Sequence, residues 1–174
     1  MASFDKVILV DENDNQTGTE DKMQAHLNGN LHRAFSVFLF NDKGEMLLQR
    51  RALSKYHSGG LWTNACCSHP QPDSSIDEDL KDRLLFEMGI ECKLDYLLSF
   101  RYKAEFSDGI TENELDHVYY GYFNGIPHPN PDEAEDWKWV DIADIEDDID
   151  RHPEKYTEWF KIIFPVVKEK VAGN

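Results

Sequence analysis

The chain has 174 residues, 40% hydrophobic and 12% aromatic. That composition can bury roughly 70% of the unfolded chain's surface and excludes a disordered polymer. A formal net charge of −16 argues against a nucleic-acid surface, and no apolar run approaches the ~20 residues of a membrane span. Three cysteines, two of them adjacent, make no disulfide framework and point to a reducing, cytoplasmic compartment.

Met1-Ala2-Ser3-Phe4 and Val171-Ala172-Gly173-Asn174 carry neither leader nor lipidation signals, so neither is expected. One domain over 1–174 is expected. The acid is unevenly placed. Residues 132–150 hold ten acidic side chains against Lys138, and this run reads as a solvated face. Bases concentrate earlier, at Arg50, Arg51, Lys55, Arg83, Arg101 and Lys103, where a small anion can bind.

Residues 6–11 read as a short buried strand and 11–18 as turn chemistry. Residues 21–30 are short and polar and contain His26, with His32 following. Residues 34–40 form an aromatic, β-branched strand, Asn41-Asp42-Lys43-Gly44 a hairpin turn and 45–51 the returning strand. A loop over 54–60, with Gly59-Gly60, leads into the extended segment 62–70. Ser74 or Ser75 caps a helix with Asp77 and Glu78 in its first turn. Ile76, Leu80, Leu84 and Met88 form its buried stripe, Arg83 and Glu87 share an adjacent face, and Gly89 ends it. Residues 94–105 and 115–123 read as strands joined through Ser107-Asp108-Gly109, 127–131 as a loop and 137–140 as a short strand. Pro153 suits the first turn of a helix reaching about Lys170, which Pro165 is expected to break or kink. Strands and hairpins alternating with helices predict a mixed α/β or α+β domain.

Within 62–70, Cys67 and His69 share one side of the extended chain while Cys66 faces the other. Cys67 can serve as nucleophile or proton-transfer base, its pKa lowered by nearby cations or metal. Cys66 and Cys92 read as small buried hydrophobes. His26, His32 and His69, with Glu112 and Glu114 on one side of an extended segment, suit a divalent ion such as Zn or Mn. His57, His117, His128 and His152 read as ordinary polar groups, and Trp62 and Trp159 as core aromatics. The forks of Arg50 and Arg51, with Lys55, suit phosphate contacts.

Around the predicted helix the chain approaches the Nudix hydrolase box, G-x5-E-x7-R-E-U-x-E-E-x-G-U. Aligned on Gly89-Ile90, its positions read Ser68, Ser74, Asp82, Arg83, Leu84, Phe86, Glu87, Gly89 and Ile90. Helix and glycine survive, while the carboxylate cluster that holds Mg and activates water is reduced to Glu87. The stretch looks like a Nudix-type fold with its hydrolytic equipment removed.

Several segments together resemble type I isopentenyl-diphosphate isomerases over nearly the whole length. They are residues 18–32, Arg50-Arg51-Ala52-Leu53-Ser54-Lys55, Trp62-Thr63-Asn64-Ala65-Cys66-Cys67-Ser68-His69-Pro70, Phe100-Arg101-Tyr102 and Glu112-Asn113-Glu114. The resemblance implies a single-domain Nudix-like α/β/α sandwich that interconverts isopentenyl and dimethylallyl diphosphate, as a monomer or weak homodimer. It implies Zn, Mn or Mg at His26, His32, His69, Glu112 and Glu114, and a second Mg joining Glu87 to the substrate diphosphate. It implies diphosphate contacts from Lys22, Arg51, Lys55 and Arg83. Cys67 and Glu114 match the family's catalytic pair, Tyr102 a hydroxyl supporting Glu114, and Trp159 the aromatic facing the reacting carbons. A Nudix pyrophosphohydrolase and a non-catalytic metal-binding module stand as alternatives.

Overall fold

The computed structural model describes residues 5–55, 57–106 and 108–172. Met1-Ala2-Ser3-Phe4 and Gly173-Asn174, where the sequence predicts neither leader nor lipid anchor, and Ser107 of the predicted turn lie outside the described residues. The elements are β1 (Lys6–Val10), β2 (Gln16–Asp21), α1 (Lys22–Asn28), β3 (His32–Phe40), β4 (Glu45–Arg51), β5 (Trp62–Thr63) and β6 (Cys66–Ser68). There follow α2 (Ile76–Met88), β7 (Asp95–Glu105), β8 (Thr111–Tyr122), β9 (Ala134–Asp141), α3 (Ile142–Arg151) and α4 (Glu158–Ala172). No described helix is long and apolar enough to cross a membrane.

β3 is the hub. Ala34 to Phe40 are all buried, the near-continuous pattern of a strand covered on both faces. β3 runs parallel to β8 from His32↔Glu114 to Phe40↔Tyr122 and antiparallel to β6. Its pleat divides the core. Phe38 and Phe40 pack with Phe160, Ile163, Phe164 and Val167 of α4 and Ile145 of α3. Phe35, Val37 and Leu39 pack with Leu80, Leu84 and Met88 of α2. β4 repeats the division, with Met46 and Leu48 toward α4 and Leu47 toward α2. The result is the three-layer α/β/α sandwich that the sequence predicts, with a mixed sheet at its centre.

The predicted α2 is present with its cap. Ser75 Oγ accepts from Glu78 N–H while the Glu78 carboxylate returns to the Ser75 N–H, and Gly89 closes the helix at φ 63°. The Asn41–Gly44 turn also forms, with Gly44 N–H donating to Asn41 O at 3.0 Å. Its strands then part: β3 and β4 meet at Phe40↔Met46, while β4 pairs with β9 from Glu45 onward and with β5 at Gln49 and Arg50.

Several segments depart from the sequence reading. Residues 22–28 are helical, because Asp21 caps Met23 and Gln24 N–H and Gly29 supplies the left-handed exit; seven residues are too few to show a period. β2 reaches back to Gln16, into the predicted turn, because it pairs with β1. β8 begins at Thr111, upstream of the predicted strand, through its ladder with β7. β9 starts at Ala134 on the ladder with β4, and α3 occupies the second half of the acidic run. Pro153 opens one 3-10 turn, Pro153–Lys155, and the helix begins afterwards at Glu158. Pro165 does not end α4: it sits on the exposed face while buried Ile163, Phe164 and Val167 hold both sides of it to the core.

Gly89 and Gly44 both need positive φ, but a Cβ at Gly89 would stand 2.7 Å from the His128 carbonyl oxygen, and at Gly44 would meet nothing within 4 Å. Gly44→Ala is expected to destabilise by about 1 kcal/mol, the left-handed penalty alone, and Gly89→Ala by distinctly more. Urea unfolding measures both, and equal losses would refute the contact argument.

Candidate active site

One cavity, walled from both the α4 and the α2 layers, collects most of the chemistry read from the sequence. It is lined by Cys67, His69, Tyr102, Glu112, Glu114, Trp159, Glu87 and the cations Lys22, Arg51, Lys55 and Arg83. His26 and His32 are fully buried, their rings 5.7 and 5.1 Å from the His69 ring. Strand register makes these meetings. The parallel ladder sets His32 beside Glu114, and the antiparallel one sets Ser36 beside Cys67. β8 alternation then turns Glu112, Glu114 and Asp116 to one face, and all three are buried.

The ligand atoms of His26, His32, His69 and Glu114 lie within 4.8 Å of one another. His32 Nδ1 lies 2.8 Å from the Asn30 carbonyl, which can only accept. Nδ1 therefore carries the hydrogen, leaving Nε2 as a lone-pair donor. That Nε2 and the Nε2 of His69 stand 3.9 and 3.6 Å from Glu114 Oε1, and neither has a hydrogen-bond partner. Buried imidazole nitrogens converging on a carboxylate fit a divalent cation. Burial also keeps the rings neutral, the form that binds metal, pushing His26 down to about 3 and lowering His32.

Glu112 stands outside this group. Its Oε1 accepts the Tyr102 hydroxyl at 3.1 Å, and its Oε2 lies 3.9 Å from His57 Nε2. The phenol that the resemblance associates with Glu114 is thus bonded to Glu112. Burial, then the neighbouring Glu114, pushes Glu112 well up. Burial also pushes Glu114 up, but the facing His69 and His32 imidazoles outweigh it and hold that carboxyl well below its usual range. The two adjacent acids are thereby pushed in opposite directions, Glu112 up and Glu114 down.

The basic residues do not form one patch. Arg50 turns to Glu135 at 3.1 Å and Arg101 to Glu12 at 3.2 Å, while Lys103 is exposed. Lys55 and Arg83 enter the cavity and share Glu133, Arg83 at 2.9 Å. Glu133 is therefore, with Asp148, an exception in an acidic run that is otherwise largely exposed. Burial, with repulsion from Lys55 and Arg83, lowers the Lys22 pKa. Crowded cations of this kind suit an anion with several charged oxygens. The Arg51 guanidinium lies 5.1 Å over the Trp159 ring, joining this end to the aromatic wall.

Cys67 and Cys66 face opposite layers, as the alternation requires, and one expectation needs correction. In the metal-free chain burial, and then Asp116, push the Cys67 thiol up. Its neighbours are acceptors, Asn64 Oδ1 at 3.2 Å and Ser36 Oγ at 3.4 Å, the latter donating its own hydrogen to Asp116 at 2.7 Å. Cys66 is not merely a core hydrophobe, since its thiol donates to Glu87 Oε2 at 2.7 Å. Glu87 Oε1 lies 3.5 Å from Arg83, as their spacing predicts.

Sequence reading passed over Ser36, Asn64, Asp116 and Glu133, and set His57 aside. His57 lines the cavity, stacked 5.1 Å from Phe106 and edge-on to Trp159. Asp116 continues the Glu112, Glu114 alternation, a signal present in the sequence. Glu133 carried none, hidden inside an acidic run. Burial, then Arg51, pushes His57 down to about 4 from 6.5. Between those values the unfolded chain binds more protons at this position than the folded one, so His57's contribution to stability falls as pH falls. The stability of wild type relative to His57→Phe, both metal-free, is expected to drop by on the order of 3 kcal/mol from pH 7 to pH 4. Urea titrations across that range measure it, and a constant difference would refute the burial argument.

A sequence model of the NUDIX domain matches residues 30–160. The chain is 52% identical over 157 residues to isopentenyl-diphosphate Delta-isomerase 1 of Aromatoleum aromaticum, covering 90% of this chain and 89% of that one. It is 47% identical to the isopentenyl-diphosphate Delta-isomerase of Serratia proteamaculans, covering 90% and 88%. Among solved structures it is similar to DR0079 from Deinococcus radiodurans, with TM-score 0.70 and 19% identity over 84% of this chain and 90% of that one. A MutT protein from Methanosarcina mazei superposes with TM-score 0.65 and 20% identity, covering 80% and 94%. Those structures share the fold, and the closer sequence relatives decide the branch: the chain belongs to the isopentenyl-diphosphate Delta-isomerase family, built on the Nudix fold.

Proposed function

We infer that the chain interconverts isopentenyl and dimethylallyl diphosphate. The observation that carries this is one cavity holding a buried thiol, a histidine–carboxylate cluster, an aromatic wall and crowded cations. Moving the double bond by one carbon adds a proton at one end of a three-carbon unit and removes one at the other. An alkene is a weak base, so the path runs through a tertiary carbocation-like state. Cys67 on β6 and Glu114 on β8 rise from opposite sides of β3 onto the same face of the sheet, so the hydrocarbon fits between them. One gives a proton and the other takes one, and the reverse reaction exchanges their roles. The Tyr102–Glu112 bond keeps a proton-bearing pair beside Glu114.

Trp159, 6% exposed, offers its face to the developing positive charge and forms a wall of the cavity. Lys22, Arg51, Lys55 and Arg83 hold the diphosphate, which takes no part in bond making and fixes the carbons relative to the thiol. His26, His32, His69 and Glu114 would hold a Zn, Mn or Mg ion, with Glu112 adjoining. Such an ion supplies positive charge that fixes and polarises the Glu114 carboxylate. Glu87, at the cation end, would hold a Mg ion with the diphosphate. Three free cysteines support a reducing, cytoplasmic setting.

Incubation with isopentenyl diphosphate and Mg is expected to give an acid-labile allylic product without phosphate release. Cys67→Ala should lower turnover by roughly 10²–10⁴-fold with metal retained, and His69→Ala should lose metal and turnover together. Product assay and elemental analysis read both. A folded, metal-loaded sample that forms no allylic product would overturn the reading.

A further inference from the structure

Cys67 and Trp159 come from distant parts of the chain, β6 and the first turn of α4, yet buried polar groups join them. Thr157 immediately precedes α4, and its Oγ1 accepts the Phe160 N–H at 3.3 Å, as a helix cap does. The Thr157 hydroxyl donates to Thr63 Oγ1 at 3.1 Å, and Thr63 donates to Asn64 Oδ1 at 2.8 Å. The same Asn64 oxygen takes the Cys67 thiol at 3.2 Å. Thr63, Asn64 and Thr157 are at most 2% exposed, and none lines the cavity.

The direction of this chain of bonds is fixed. Asn64 Nδ2 gives its two hydrogens to the carbonyls of Val37 and Cys66, at 3.0 and 2.9 Å. The amide therefore cannot turn over, and its oxygen must face Thr63 and Cys67. Each threonine has one hydroxyl hydrogen and gives it to the next group toward the thiol. Every hydroxyl thus accepts once and donates once, so the two threonine bonds run head to tail and strengthen one another, ending on the Asn64 oxygen that also takes the thiol hydrogen. Backbone pairing already fastens the same two segments, through Thr157 N–H on Trp62 O at 3.0 Å. The side-chain relay therefore adds direction at the sulfur rather than mere attachment.

We propose that Thr63, Asn64 and Thr157 are positioning residues for the isomerisation, holding the Cys67 sulfur and the Trp159 ring in one frame on either side of the substrate's carbons. This rests on the reading of Cys67 and Trp159 given above. Thr63→Val keeps the side-chain shape and removes the hydroxyl. It leaves Asn64 Oδ1 without one donor and the Thr157 hydroxyl without its acceptor. The cations and the histidine–carboxylate cluster lie outside the relay, so diphosphate binding and metal content stay as they are.

The test compares Thr63→Val, Thr63→Ser, Thr157→Val and the double valine variant, metal-loaded, with isopentenyl diphosphate as substrate. Thr63→Val is expected to lower kcat roughly 10- to 100-fold with KM and bound metal unchanged. Thr63→Ser, which keeps the hydroxyl, should restore most of kcat. The double variant should be no slower than the slower single one, because either change breaks the same relay. Should Thr63→Val fail to fold, Thr157→Val reads the relay from its helix end. A wild-type kcat in the valine variants, a serine variant as slow as the valine one, or losses that multiply would each overturn the inference. Cys67→Ala, run beside them, separates the two levels. If it turns over normally, the assignment of Cys67 fails; if it is inactive while Thr63→Val is normal, the positioning role alone fails.

Discussion

Three carboxylates buried on alternate residues of one strand are the constraint to which the rest of this site answers. Glu112, Glu114 and Asp116 share a face of β8 because successive strand residues point to opposite sides, and the parallel ladder with β3 holds that face inward. Buried like charges cannot all persist. Each carboxylate here meets a different remedy. Glu114 faces His69 and His32, Glu112 takes the Tyr102 hydroxyl and is pushed toward its protonated form, and Asp116 accepts from Ser36. A divalent cation among His26, His32, His69 and Glu114 would complete the first remedy. The same requirement thus explains the clustered histidines, the buried phenol and the uneven proton affinities of neighbouring acids.

The pleat that creates this constraint also divides the labour of the adjacent cysteines. Cys67 enters the cavity on the α4 side, where Trp159 stands. Cys66 enters the α2 side and meets Glu87, one turn from Arg83. Two neighbouring residues therefore reach opposite ends of the same cavity, through opposite layers of the sandwich.

What was legible in the sequence was what short-range chemistry dictates. The α2 stripe with its serine cap and Gly89, the β3 run, and the sharing of a side by Cys67 and His69 follow from periods and capping rules that act locally. The grouping of His26, His32, His69 and Glu114 was suggested by residue type and made specific by resemblance, because its members come from α1, β3, β8 and the residue after β6. What stayed hidden depends on pairing across the chain. β2 and the start of β8 contain residues that would form turns elsewhere and become strands through their partners. α1 was too short to show a stripe, and Pro165 was overridden by the apolar contacts on either side of it. His57 reads as an ordinary loop residue until Phe106 and Trp159 are placed around it. Glu133 is indistinguishable by sequence from its exposed acidic neighbours, yet it alone of that run reaches both Lys55 and Arg83.

The same comparison explains how a hydrolase-like scaffold can hold a diphosphate without cleaving it. Nudix-type hydrolysis needs several carboxylates along α2 to gather metal and direct water at phosphorus. In this chain Asp82 points outward, Arg83 occupies the inner face, and Glu87 is held between Arg83 and the Cys66 thiol. Arg83 brings a positive charge where a hydrolase would bring a metal-binding carboxylate, so the helix is suited to phosphate oxygens and gathers little to activate water. Groups able to move protons lie instead on β6 and β8, on the Trp159 side of the cavity. Replacing carboxylates on one helix face, and burying others on one strand, shifts the chemistry from the phosphorus to the alkene while the fold stays the same.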